Sequence, residues 1–264
     1  MGNDGPDVLK TVGAVVILLA TVGGSALPFL SLAPETSGPK TVRVVDEEGN
    51  TSERGSMTAM TRAEIQKKLA QVPVFFLRDP NGGVHVDGGE GLFFMNPADA
   101  QAKIAGMTGV DGVKVSATTL DDVWYPLIKK KGQNKKSVAA EAAVNSDLSA
   151  RYRIIPRVDQ VSQASGTDGW NSVGDKDGVP VWAANSLAFQ AGSRYKTPLF
   201  TNMDDLMTSW QRLKTEAGSK SEAPVVQVSS IGAIVEIMES GGGDNRNLEF
   251  FADMDSIEQA EKLL

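Results

Sequence analysis

VPVFFLRDPNGGVHV, residues 72–86, and VPVWAANSLAFQAG, residues 179–192, begin alike, and the segments downstream of them are alike too. After the first comes GLFFMNPADAQAKI at Gly91 to Ile104. After the second comes PLFTNMDDLMTSW at Pro198 to Trp210. Val72-Pro73-Val74-Phe75 aligns with Val179-Pro180-Val181-Trp182, and Leu92-Phe93 with Leu199-Phe200. Short apolar runs bounded by turn residues read as strands, and DPNGG at Asp79 to Gly83 reads as a hairpin turn. Asn96 and Asn202 each stand just before a helical pattern, where an amide oxygen can cap free backbone N–H groups. Pro97 follows the first at a position where its missing N–H costs nothing.

Two further segments recur in the same order. VKVSATTLDDVWYPLI from Val113 aligns with VQVSSIGAIVEIMES from Val226, each a β-branched strand, a Ser/Thr cluster and an apolar helical run. YRIIPRVDQVSQA at Tyr152 to Ala164 aligns without a gap with LEFFADMDSIEQA at Leu248 to Ala260. Each half therefore reads hairpin, helix, strand, helix, strand, helix. The expected fold class is mixed α/β: an internally duplicated, pseudo-twofold domain of mixed sheets with packed helices, with half-repeats 72–165 and 179–264. WNSVGDKDG, residues 170–178, joins the halves.

Upstream, Thr61 and Glu64 form a T-x-x-E capping box, so a helix starts there and the domain is expected to run over 61–264. Residues 34–60 are polar and turn-rich and read as a linker, with an edge strand at most at Thr41 to Val45. From Thr11 to Ala33 no residue is charged. These residues are enough to cross a bilayer, for which about 20 suffice. The expectation is a transmembrane anchor over 11–33 behind a tail of residues 1–10. A cleaved signal peptide is the rival, but Asp4 and Asp7 outnumber Lys10 in what should be a basic leader.

With 41% hydrophobic residues, the chain can build a core. Its net charge of −7 argues against nucleic acid as a partner. It has no cysteine and one histidine, His85, which excludes thiol chemistry, Cys-type zinc sites and His-rich metal centres. No G-x-S-x-G elbow is present, and GGG at Gly241 to Gly243 lacks the Lys-Ser/Thr of a phosphate loop. Asp121-Asp122 and Asp204-Asp205 fall in first helical turns, where negative charge suits the helix dipole. No catalytic, cofactor-binding or metal residue is expected, so the chain does not read as an enzyme. One charge feature stands out: Lys129, Lys130, Lys131, Lys135 and Lys136, in an insert the second half lacks. It is either a solvated loop or a contact for anionic lipid or an acidic partner. Adjacent aromatics such as Phe75-Phe76 and Phe93-Phe94 point to opposite strand faces, so one of each pair is expected to be exposed or helix-covered.

The ordered set Leu69 to Leu77, Gly91 to Ala100, Tyr152 to Val161, Val179 to Trp182 and Pro198 to Leu206 resembles the Tic twenty-two family of plastid-envelope import factors, with cyanobacterial relatives. The resemblance covers about residues 61–264. It implies a chaperone-like role, binding precursor proteins or complex subunits beside a plastid membrane, and no catalytic residues. The typical member is peripheral, whereas this chain carries an apolar anchor segment. A structural linker or assembly subunit of a thylakoid photosynthetic complex is therefore the alternative, and envelope and thylakoid both stay open.

Overall fold

A computed structural model describes residues 43–45, 51–53, 59–109, 111–129, 147, 149–167, 170, 178–185, 187–191, 194–217, 223–241 and 245–263. The apolar stretch 11–33 lies outside the described residues, and among the described residues no helix is long and apolar enough to cross a membrane. The segment read as a linker holds a two-stranded antiparallel ribbon, β1 (Arg43–Val45) and β2 (Thr51–Glu53). Met60, at its end, is buried and donates its N–H to Met238 O.

Ten strands form two five-stranded sheets. The first contains β3 (Pro73–Arg78), β4 (Val86–Asp87), β5 (Glu90–Phe94), β6 (Lys114–Thr119) and β7 (Arg151–Ile155). Its order is β6-β3-β5-β7, with β4 extending the line of β3 along β5. Only the β5–β7 pair is parallel. The second contains β8 (Pro180–Ala184), β9 (Phe189–Ala191), β10 (Arg194–Phe200), β11 (Val226–Ser230) and β12 (Leu248–Phe251). Its order is β11-β8-β10-β12, with β9 on β10 and only β10–β12 parallel. Val74 and Val181 thus occupy corresponding strands.

The ladders also set which residues correspond. Phe75 faces Phe94, while Trp182 faces Phe200. Phe94, not Phe93, is therefore the counterpart of Phe200, one residue away from the alignment read in the sequence. Side chains alternate with period two, so that slip would have exchanged the buried faces. In the next strand, Ala117 faces Phe75 and Val228 faces Trp182. Val115, rather than Val113, then stands where Val226 does. This two-residue slip leaves the faces unchanged. The last pair keeps its gapless register: Phe94 faces Ile155, and Phe200 faces Phe251.

Helices fill the spaces. They are α1 (Arg62–Leu69), α2 (Pro97–Ala105), α3 (Leu120–Val123), α4 (Val158–Ser165), α5 (Met203–Ala217), α6 (Ile231–Ser240) and α7 (Met254–Leu263). The capping box at Thr61 is complete: its N–H donates to Glu64 Oε2 at 2.8 Å, and Glu64 N–H donates to Thr61 Oγ1 at 3.3 Å. Asn96 and Asn202 each accept the N–H two residues on, at 2.9 Å. Helix α3 widens at its end into a π-turn, Trp124–Ile128. Pro126 has no N–H to give an ordinary i−4 bond, and the wider turn accommodates it.

The inner faces of both sheets share one core with α1, α3 and α6, through residues such as Ile65, Phe76, Phe93, Val181, Leu199, Ile234 and Phe250. The outer face of each sheet has its own core. Phe75, Leu77, Phe94 and Ala117 pack under α2 and, through Ala260, under α7. Trp182, Phe200 and Val228 pack under α5 and, through Ala164, under α4. The last helix of each half thus covers the sheet of the other half. Phe75, Phe76, Phe93, Phe94, Trp182, Phe200 and Phe250 are all buried, so both sheets are covered on both faces. Each fully buried large apolar side chain contributes about 1.5–3 kcal/mol. None of these aromatics is left to line an open groove.

Candidate binding groove

The largest opening lies where the halves meet. It is a groove of about 490 Å³, in the range of about 300–1,000 Å³ typical of ligand pockets. The first half supplies Trp124, Leu127 and Ile128 from the π-turn and Arg151 to Ile154 from β7. The second half supplies Val179 just before β8, and Ser230 to Ala233 with Glu236 from the start of α6. The floor is apolar because these are the residues that close the central core: Leu127 and Ile231 are buried within it. Arg151 and Glu236 are exposed on the rim and enter no ion pair among the described residues. The Trp124 indole N–H finds no acceptor among the described residues; the indoles of Trp182 and Trp210, deep in the outer core, share that condition.

The walls are tied together. Tyr125 donates its hydroxyl to Glu239 on α6 at 3.0 Å, and Lys129 pairs with the same carboxylate. Arg62 stacks over the Tyr125 ring at 4.5 Å. Burial, reinforced by the Glu239 charge, pushes the Tyr125 phenol well above its ordinary value, so it stays a neutral donor. Gly232 opposes Trp124: a Cβ there would lie 3.8 Å from Trp124 Cη2, an ordinary contact. The site is built to hold a shape, and the groups lining it include no nucleophile–base pair.

A polar joint holds the halves together on another side. Arg157 donates to Asp253 Oδ2 at 3.2 Å and to Asp159 Oδ2 at 2.7 Å. Asn202 donates to Asp253 Oδ1 at 2.9 Å, and Ser256 donates to Asp253 Oδ2 at 2.9 Å. Gln160 Oε1, on α4, accepts the Met203 N–H of the second half at 3.0 Å. Ser256, on α7, lies 3.2 Å from Met95 O of the first half. Each last helix therefore reaches a helix start or a strand end in the other half. The joint was not foreseen, yet a signal existed. In the gapless alignment Arg157 stands opposite Asp253, and opposite charges at equivalent positions can pair across a twofold.

The residues singled out in the sequence are scattered. Lys129 pairs with Glu239 near the groove, while Lys130, Lys131, Lys135 and Lys136 lie outside the described residues. His85 donates its backbone N–H to Leu77 O, continuing the ladder. Asp121 and Asp122 accept the hydroxyls of Thr119 and Thr118 at 2.6 and 2.7 Å at the start of α3; burial raises the Asp121 carboxyl. Among the described residues no group of His, Asp and Glu could hold a metal ion. The groove itself was missed, because its walls are brought together from four segments that no local pattern links.

The Tic22-like family matches residues 19–249. Tic22 from Plasmodium falciparum shares the fold, with a TM-score of 0.58 at 21% identity over 75% of this chain and 96% of that one. Anabaena Tic22, a protein of protein transport, gives 0.52 at 15% identity over 78% and 98%. No curated protein matches the chain. With a family match that runs across most of its length, the chain belongs to the Tic22-like family, which is associated with protein transport.

Proposed function

We propose that this chain is a non-catalytic, chaperone-like factor of the plastid that holds polypeptide segments in the groove between its halves, as part of protein import. The observation that carries the reading is the groove itself: an apolar floor of Trp124, Leu127, Ile128 and Ile231 under a charged rim, with walls pinned through Glu239. Apolar floors with a few placed polar groups suit side chains of an unfolded segment. Residues 11–33 would tether the domain 61–264 to an envelope or thylakoid membrane, and the two halves would be copies of one module. The lysines from Lys129 to Lys136 would add an electrostatic contact with anionic lipid or an acidic subunit.

The test is capture of a reduced, carboxymethylated model client by a photo-crosslinking residue placed at Ile128 in the full-length chain. Crosslinks should form there, and Ala233→Trp, which fills the groove, should abolish them without lowering the melting temperature. Equal capture by the filled variant would end the reading. A second reading, a fixed subunit of a thylakoid complex, is favoured by the uncharged stretch 11–33. It differs in residence: the protein would remain with its complex after mild detergent extraction, whereas a factor that exchanges clients would not.

A further inference from the structure

The groove carries one cation and one anion, contributed by different halves. Arg151, on β7, and Glu236, on α6, both line it, both are exposed, and neither enters an ion pair among the described residues. Neighbouring charges differ in this respect. Lys129 is engaged by Glu239, Lys68 and Lys196 by Glu249, and Arg157 by Asp159 and Asp253. Between the two rim charges lies the apolar floor, and the volume suits a short segment rather than a folded domain.

We infer that the groove selects a short apolar polypeptide segment bearing one acidic and one basic residue at its flanks, read by Arg151 and Glu236. This deepens the polypeptide-binding reading of the same groove and rests on it. The apolar floor supplies attraction without regard to sequence, whereas the two rim charges penalise like-charged flanks and so supply discrimination. The segment can lie in either direction, because reversing it exchanges its ends. The pattern of charges, not their order, is what the groove reads. Segments with two bases or two acids leave one rim charge facing its own sign.

The experiment uses the full-length chain in mild detergent and four fluorescent heptapeptides. All share a Ser-Leu-Val-Leu-Ser centre, with Glu and Lys, two Lys, two Glu or two Gln as the end residues. The mixed peptide should bind tightest, by about fivefold over each like-charged peptide, a margin consistent with exposed ion pairs. Arg151→Glu should switch the preference to the Lys/Lys peptide, and Glu236→Arg should switch it to the Glu/Glu peptide. Both changes lie at exposed positions, and unchanged circular dichroism verifies folding. Equal binding of all four peptides, unaltered by either reversal, would overturn the inference and leave polypeptide binding in place. Failure of all four to bind while Ile128 still captures the unfolded client would also overturn it, since the groove would then take no short segment. Loss of both would remove the polypeptide-binding reading itself.

Discussion

The first and second sheets have the same strand order, the same single parallel pair and the same division of faces, yet they differ in their trimmings. In the first half, the helix after the Ser/Thr-rich strand is short, carries Pro126 and ends in a π-turn; in the second, α6 runs ten residues and ends on Gly241 with φ 74°. Arg157 in one half becomes Asp253 in the other. Gly91 under Tyr152 in one becomes Thr197 beside Leu248 in the other. The shared features are backbone ladders and core faces. Many of the differences lie at the groove and the joint. Packing constrains both halves alike, and two like frameworks are free to differ where they meet.

If the outer cores are equivalent, removing their central aromatics should hurt equally. Phe75→Ala and Trp182→Ala should each cost about 4 kcal/mol in urea unfolding, since both side chains are fully buried. A difference of more than about 2 kcal/mol would break the equivalence of the halves.

Local trimmings should be exchangeable only in pairs. A Cβ at Gly91 would overlap the Tyr152 ring, so Gly91→Thr should cost about 3 kcal/mol by overpacking. Adding Tyr152→Leu, which copies the other half, should recover much of that loss. No recovery would show that the two sheets differ in more than side chains.

The joint sharpens the comparison further. Arg157→Ala and Asp253→Ala should each cost about 2 kcal/mol, with a coupling of about 1 kcal/mol in a double-mutant cycle. The exchanged pair, Arg157→Asp with Asp253→Arg, should be more stable than either single reversal. Additive losses would mean that the two charges do not act together.

Acid should act on the joint in two stages. Asp99 and Asp205 are held above the ordinary carboxylate value, chiefly by burial. Asp159 is held below it, chiefly by the hydrogen bond from Arg157. A raised folded-state pKa means that folding disfavours the ionised form, so Asp99 and Asp205 add stability as pH falls through their folded values. Asp159 contributes above its unfolded value and loses that contribution as pH falls through its lowered one. Stability should therefore rise and then fall on acidification. Asp205→Asn should be more stable than the parent at pH 7 and should flatten the rise; an unchanged profile in urea titrations between pH 7 and 3 would count against it. The smallest effect should come from Lys129→Ala, at most about 1 kcal/mol because its pair with Glu239 is part-exposed. Changing all five lysines to Gln should alter stability no more than that, while weakening any lipid or subunit contact most at low salt.

Much of this fold was legible because it is written locally. The capping box at Thr61, the caps at Asn96 and Asn202, and the gapless match from Tyr152 to Ala164 all depend on residues a few positions apart. The register at Phe93 and Phe94 was not legible, since both residues are aromatic and both faces of the sheet are buried, which removes the polar alternation that would have fixed it. The groove and the joint were less legible still. Arg151 and Glu236 come to line one groove, and Arg157 meets Asp253, only because the chain closes on itself across most of its second half. The unpaired state of the first two is visible only once every neighbour is placed.

The exchange of last helices has a consequence for the order of events during synthesis. The outer face of the first sheet, with Phe75 and Leu77 on it, is closed by α2 and by α7, and α7 begins at Met254. At ribosomal speeds of about 5–20 residues per second, that face waits about ten to thirty seconds after β3 has emerged before its second cover exists. During that interval the nascent chain exposes aromatic surface that the finished protein hides. A factor built to shelter other unfolded chains would, on this schedule, need shelter of its own while it is being made.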